Sequence, residues 1–529
     1  MQGSARRVGV GAALAFVVAL GMFSWRVGSA SAWRDEAATQ EVAGRSVGQL
    51  FALARDVDLV HLAYYLLAHL VHQVNGDFVG LRLLSVVLFA AATAVTVLIG
   101  AELGSLRHGL LAAGLVVVSP FASSYAQQAR PYALTTFVAT LSVWVLLVAA
   151  RVGGVRLWVG YGLSVVACGL SNAVSLLVLL PHVVVVTSQA VVPPALVAPA
   201  AGLPAHLQRW AMPPRRVLRA WATAVGVSLL VLSGFLVFAL RQRDQVGWLT
   251  RPGVDQLVEV LSLGLGPLRL LVGLAVVALV TSLSVRQLRR PWLITATWGF
   301  GPVLVSWLVS QGHPIFDGRY VAFCLPGAAL ALTTPVRLRV GRGPAVWREA
   351  AVWREAAVPV IGAVVVAGLA AGAWPGQLRV RDPSGLEDLR GASAVLRENA
   401  RPGSAVLFVP SNSRLITMTY GEGLPPLRDL SLEESGRASA TLVGLDRTSD
   451  EVRARLAVEP GVWLVTRSRI VTPLSDAERT ELTVVRACFV RTGEWTVRGF
   501  TVRRFVRAFT SSPLCTPALG DQGLHVGTG

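Results

Sequence analysis

The feature that most restricts how this chain can fold is a succession of long apolar runs divided by short polar turns. A helix needs about 20 apolar residues to cross the hydrocarbon core of a bilayer, and only helices or closed barrels satisfy their backbone there. The first run extends from about Val8 to Trp25, behind Arg6 and Arg7. Others occupy 79–101, 108–124, 131–150, 157–170, 173–190, 218–240, 264–284, 291–311, 320–335 and 358–374, so the pattern predicts about eleven transmembrane helices. With 53% hydrophobic and 15% charged residues in 529, the chain carries more apolar surface than a soluble globule could bury. The expected fold class is a polytopic α-helical membrane protein. Ser-Ala-Ser-Ala at 29–32 resembles a signal-cleavage site, but the many later spans favour an anchored first helix.

The formal charge of +18 comes with no Lys, so all 48 basic residues are Arg. Many lie in turns between apolar runs, which marks them as topology signals rather than a nucleic-acid surface. Arg107, Arg151 with Arg156, Arg209 with Arg215, Arg216 and Arg219, and Arg286 with Arg289 and Arg290 fall on alternate turns. Arg337, Arg339, Arg342, Arg348 and Arg354 continue the series. All reach the cytoplasm only if the short run Leu59–Val74, with His61, His69 and His72, lies on the interface instead of spanning. The amphipathic stretch from Asp35 to about Ala54 reads as another interfacial helix. Ser171-Asn172 marks a tight turn between two short spans, or a point along one long tilted helix. The twice-written hexapeptide Ala-Val-Trp-Arg-Glu-Ala at 345–356 has too few copies for a repeat fold and reads as a local duplication in a tolerant loop.

Composition changes near Trp374, where Pro375-Gly376 is expected to end the last span. The sequence therefore divides into a transmembrane domain at 1–375, an α/β domain at 376–510 and a disordered tail at 511–529. Helices are expected at Leu386–Asn399 and about Asp450–Ala457. Strands are expected at Ala405–Pro410, Val462–Thr466, about 484–490 and about 496–506. Cys168 and Cys324 fall in apolar runs, whereas Cys488 and Cys515 lie in the polar part, where sequence leaves their pairing open.

On this topology several polar groups share the outer, extracytoplasmic face. They are Asp35-Glu36; Asp56 and Asp58 with His61; Tyr125 to Arg130-Pro131-Tyr132; Arg241 to Asp244; and His313 to Asp317, Arg319 and Tyr320. Each has a plainer reading. Asp35 and Glu36 could be a charge pair at a helix N-terminus, the Arg residues could snorkel, and Arg243 is best read so. Asp58, His61 and Glu36 could hold a divalent metal, although their spacing carries no specificity. Taken together, the carboxylates offer a base for a hydroxyl, and the planar Arg forks offer a clamp for phosphate. Sugar transfer from a lipid phosphate needs that pairing, because the hydroxyl loses a proton while the leaving phosphate gains charge.

Asp35-Glu36 after the first span, Gly80-Leu-Arg82-Leu-Leu-Ser85, Ser119-Pro-Phe with Tyr125 to Tyr132, and Gly318-Arg319-Tyr320 together resemble the GT-C superfamily of polyprenyl-phosphate-sugar glycosyltransferases. The nearest likeness is to the protein O-mannosyltransferase and aminoarabinose transferase group. It covers residues 1 to about 335. Where members carry Pro-Pro-Leu, this chain reads Asp58-Leu-Val-His61-Leu-Ala. The resemblance implies two interfacial helices in the first external loop and an extracytoplasmic active site in the plasma membrane. It implies inverting transfer with Asp35 as base, supported by Glu36 and Arg82, from a polyprenyl-phosphate donor contacted by Arg130, Tyr132, Arg319, Tyr320 and Arg241. Asp58 and His61 would serve the acceptor or a metal. The sugar would be mannose or arabinose and the acceptor an envelope glycan, lipid or protein. A flippase would need charges deep in several spans or matched broken helices, and neither is visible. A non-catalytic envelope-assembly protein is the other alternative.

Overall fold

The computed structural model describes residues 2–191, 213–242, 247, 249–262, 268–337, 345–469, 473–508 and 513–515. Arg209, Arg243, Asp244, Arg339, Arg342 and tail residues 516–529, all assigned roles above, lie outside the described residues.

In chain order the helices begin with α1 (Gln2–Ser24), α2 (Arg34–Ala43), α3 (Val47–Asp56), α4 (Leu62–Val74), α5 (Phe78–Leu103), α6 (Leu106–Val118) and α7 (Pro120–Ala126). They continue with α8 (Tyr132–Val152), α9 (Val155–Ser171), α10 (Leu179–Val191), α11 (Pro214–Arg241), α12 (Val254–Leu261), α13 (Leu268–Ser284), α14 (Arg286–Val309), α15 (Leu325–Thr333) and α16 (Ala345–Val380). The chain forms two compact units: one of residues 1–27 with 58–381, the other of 28–57 with 382–529. Among the described residues, six helices of the first unit are long and apolar enough to cross a membrane, or seven if α6 and α7, bent by 71° at Ser119-Pro120, form one span. The bend has a local cause. Pro120 supplies no N–H, and the Ser119 hydroxyl accepts from Ala122 N to start the next helix. Shorter apolar helices, among them Val155–Ser171 and Leu271–Ser284, lie beside these. Asn172 interrupts the helix between α9 and α10, its side chain accepting from Val174 N at 2.9 Å.

Two expectations for this unit change. Pro375-Gly376 does not end the last helix, because α16 runs on to Val380. Polar anchors hold its final turn: Gln377 donates to Val118 O at 3.0 Å, and Arg381 donates to Trp25 O and Met22 O at 2.9 and 2.8 Å. The duplicated hexapeptide is helical rather than a loop, as its Ala, Glu and Arg content allows.

The second unit holds α2, α3, α17 (Leu389–Asn399), α18 (Leu415–Thr419), α19 (Ser449–Ala457) and α20 (Asp476–Cys488). Its strands are β1 (Ala405–Val409), β2 (Arg428–Asp429), β3 (Leu432–Glu434), β4 (Leu445–Asp446), β5 (Gly461–Arg467), β6 (Phe489–Val497) and β7 (Phe500–Arg507). The main sheet has the order β2-β1-β5-β7-β6. β1 is parallel to β2 and β5, and β7 is antiparallel to β5 and β6. Alternation sorts the side chains. Val406, Phe408, Trp463 and Val465 pack with Leu389, Leu396 and Leu415 on one face. Leu407, Val409 and Leu464 pack with Val452, Leu456, Val484 and Val485 on the other.

The strand expected at 484–490 is instead the end of α20, and β6 starts at Phe489. The β-branched run Thr-Val-Val suggested a strand, but a capping box from Ser475 to Glu478 and a buried stripe of Ala477, Glu481, Val484, Val485 and Cys488 make it helical. The Asp35–Ala54 stretch is two helices broken at Gly44, with Ser46 and Gln49 capping the second. Ala37 and Ala38 of α2 join the α17 and α18 core, and the wholly buried Arg45 donates to Thr441 O at 2.8 Å. Cys488 and Cys515 form a disulfide.

Candidate active site

The site is built where loops and helix ends of the first unit converge. The chain enters it at Asp58, whose φ of 61° and ψ of 27° place a non-glycine residue in the left-handed region. A 3₁₀ turn, Leu59–His61, follows, and His61 N donates to Asp58 O at 2.9 Å. Gln242 Oε1, just beyond α11, accepts from Leu59 N at 3.0 Å and pins the turn. Two helical turns on, the Tyr65 hydroxyl donates to Asp58 Oδ2 at 2.8 Å.

Arg130 comes from the turn between α7 and α8. The Gln127 amide fixes that turn by donating to Phe23 O and Trp25 O at 2.7 and 2.9 Å. Nη2 of the buried Arg130 lies 2.8 Å from His61 Nε2, and His61 Nδ1 lies 3.4 Å from Asp58 Oδ1. Burial alone would raise the Asp58 pKa. The nearby His61 and Arg130, with the Tyr65 hydroxyl, more than offset that and hold it at about 2.

Arg319 follows α14. Asp317 caps the 3₁₀ helix Gly318–Cys324 by accepting from Arg319 N at 3.0 Å, and its other oxygen accepts from Arg319 Nη2, also at 3.0 Å. Burial disfavours the Arg319 cation, but Tyr132 and Asp317 beside it hold its pKa above the usual arginine value. Gly318 sits in a tight place: a Cβ there would come within 3.1 Å of Val260 and 3.4 Å of the Tyr125 hydroxyl. Tyr125 meets Tyr132 edge-on at 5.4 Å, and Tyr320 lies within electrostatic reach of Arg319, Tyr132 and Arg130. Two guanidinium groups, Arg130 and Arg319, thus both lie within electrostatic reach of Tyr320, with Tyr132, His61, Asp58 and Asp317 around them.

Of the residues singled out from sequence, Asp58, His61, Arg130, Tyr132, Arg319 and Tyr320 come together here. The described contacts of Arg82 and Arg241 are with other groups. Arg82 donates to Val27 O at 2.8 Å and covers the Phe78 ring, while exposed Arg241 ends α11 over Phe238. Asp35 and Glu36 belong to the second unit. Asp35 is partly exposed, 3.6 Å from Arg34 Nε and within electrostatic reach of Arg467; Glu36 is buried. Among the described residues no group of three or more His, Cys, Asp or Glu is placed to hold a metal ion.

Sequence reasoning passed over Tyr65, and it named Asp317 and the Tyr125–Tyr132 segment among the outer polar groups without giving Asp317 or Gln127 a role. The Asp-Gly-Arg spacing signalled the Asp317 turn.

The bundle of apolar helices and the small α/β unit together have a GT-C-like fold. Among solved structures the chain is similar to ArnT from Cupriavidus metallidurans in the apo state. That match has 11% identity and a TM-score of 0.57, covering 93% of this chain and 97% of the other. The same enzyme bound to undecaprenyl phosphate matches with 13% identity and a TM-score of 0.53, over 95% and 98% of the two chains. No protein-family model matches the chain, and no curated protein matches its sequence.

Proposed function

We propose that the protein is an integral membrane glycosyltransferase that moves a sugar from a polyprenyl phosphate to an envelope glycan, lipid or protein. The observation that carries this reading is the convergence of Arg130 and Arg319 with Tyr132 and Tyr320 in the membrane unit. Guanidinium forks suit a phosphate that gains charge as it leaves. The likeness to a structure bound to undecaprenyl phosphate supports a lipid-phosphate donor. In the proposed step an acceptor hydroxyl attacks the anomeric carbon and the bond from that carbon to the phosphate oxygen breaks. Its electron pair stays on the phosphate, the hydroxyl proton passes to Asp35, and the anomeric configuration inverts. The sugar is mannose or arabinose. The short helices Val155–Ser171, Ala173–Ser188 and Leu271–Ser284, with α15, complete about eleven spans if they cross a locally thinned bilayer. The Cys488–Cys515 pair supports an oxidising, extracytoplasmic location for the second unit.

The test is release of undecaprenyl phosphate from labelled undecaprenyl-phospho-mannose or -arabinose by purified protein in nanodiscs. Asp35→Asn, matched for expression, is expected to lose at least about a hundredfold in turnover. Wild-type turnover in that variant would remove Asp35 as the base, and no release from either donor by the unaltered protein would remove the reading itself.

A further inference from the structure

We propose that Asp58 and His61 form a positioning pair for Arg130, an inference that rests on reading Arg130 as a phosphate ligand. Chemistry fixes the direction of each contact. A guanidinium can only donate, so His61 Nε2, 2.8 Å from Arg130 Nη2, is the unprotonated ring nitrogen. The ring proton therefore sits on Nδ1, which faces Asp58 Oδ1 at 3.4 Å. Tyr65 donates to the second oxygen of the same carboxylate at 2.8 Å. The nearby carboxylate favours a proton on Nδ1 electrostatically, and that tautomer presents an acceptor to the guanidinium.

The backbone supports the same conclusion. Asp58 occupies the left-handed region, which Asp adopts more readily than most non-glycine residues. That kink begins the 3₁₀ turn that brings carboxylate and imidazole three residues apart onto one side. The turn packs against α9 and α11 and is pinned by Gln242. The groups facing the imidazole are Asp58 from its own turn, Tyr65 from α4 and Arg130 from the α7–α8 turn. None of the pair needs to touch the reacting atoms. By fixing one Nη of a long side chain, it holds the fork in place before the ligand arrives, so less order is lost on binding.

The experiment uses the full chain, labelled with 15N-histidine, in nanodiscs, with the His61 signal assigned by its loss in His61→Gln. The expected spectrum shows a neutral ring protonated on Nδ1, and Arg130→Gln should let the other tautomer appear. A ring protonated on Nε2 in the unaltered protein overturns the proposal. Undecaprenyl phosphate binding supplies the second readout. His61→Leu, which offers no acceptor, should weaken binding by about tenfold or more, the loss expected for a hydrogen bond to a charged group. His61→Gln, whose amide oxygen can accept from Arg130, should recover much of that loss. Equal binding by the unaltered protein and His61→Leu overturns the pair while leaving the lipid-phosphate reading intact. The expected tautomer in a protein that binds no undecaprenyl phosphate overturns that reading and, with it, the ligand-directed role of the pair.

Discussion

Two buried arginines, one in each unit, show how differently the same side chain can be used. Arg414 in the second unit sits among carboxylates: its Nε is 2.5 Å from Asp429 Oδ2, and its Nη2 is 2.6 Å from Asp446 Oδ1. Nη2 also donates to Ser431, and the Ser411 hydroxyl lies against both Asp446 and Glu478. This set joins the ends of β1, β2, β4 and α20, elements distant in sequence, so it acts as a clasp. Arg130 in the membrane unit is met directly by an imidazole nitrogen, lies among tyrosines, and has the Asp58 carboxylate within electrostatic reach. Carboxylates neutralise and fasten a guanidinium, whereas an imidazole orients it. The first arrangement suits stability and the second suits a ligand.

The largest expected effect is at the clasp. Arg414→Met leaves Asp429 and Asp446 without their cation, a change that typically costs about 3–5 kcal/mol for a buried pair. It should lower the thermal midpoint of unfolding by many degrees. Arg130→Met should instead lower turnover, by about 10²–10³-fold if it supplies one donor to the leaving phosphate, with a smaller fall in the midpoint than Arg414→Met. Turnover assays and thermal scans on matched samples decide this. A loss of stability in Arg130→Met as large as that in Arg414→Met would erase the contrast.

The two arginines were not equally legible in the sequence. Arg130 and Arg319 stood out because Arg-Pro-Tyr and Gly-Arg-Tyr are polar interruptions between apolar runs, where a charge invites explanation. Arg414 lies in a polar stretch where charges are ordinary, and only the fold brings it to Asp429 and Asp446. Tyr65 was masked by its setting, since an aromatic in an apolar helix usually reads as packing. The grouping of 28–57 with residues after 381 was hidden for a further reason. It rests on contacts such as Arg45 to Thr441 and Arg437 to Glu41, hundreds of residues apart, which periodicity cannot report. Helix caps did better: Ser475 and Glu478 specify α20 through a local rule, and applying it would have corrected the strand expected at 484–490.

The next effect concerns how the second unit is fastened at its edge. The Cys488–Cys515 bond closes a 27-residue separation between the end of α20 and the 3₁₀ turn at Pro513–Cys515. Constraint of the unfolded chain by such a loop amounts to about 3 kcal/mol. Cys488→Ala with Cys515→Ala should therefore lower the thermal midpoint, but by less than Arg414→Met.

The smallest effect sharpens the comparison through its acids. Asp58, in the arginine site of the membrane unit, is held at about 2 and stays ionised at every working pH. Glu481, beside the clasp, is fully buried. Burial, with the Asp446 and Asp429 charges, outweighs Ser431 and Arg414 and pushes its pKa up to about 8. A carboxyl raised in the folded state from an ordinary 4.5 binds a proton there that the unfolded chain has released. Its contribution is therefore complete below pH 4.5 and declines as pH rises towards 8. Asp58 has the opposite sign, its contribution being lost only as pH falls from 3.8 through about 2. Between pH 5 and 8 the slope assigned to this pair of acids thus belongs to Glu481. Glu481→Gln, which keeps the shape and removes the titration, should flatten that slope by a few degrees of thermal midpoint. An equal slope in both proteins would mean that Glu481 is already ionised in the folded state, and that the clasp, like the Arg130 site, is built around anions throughout.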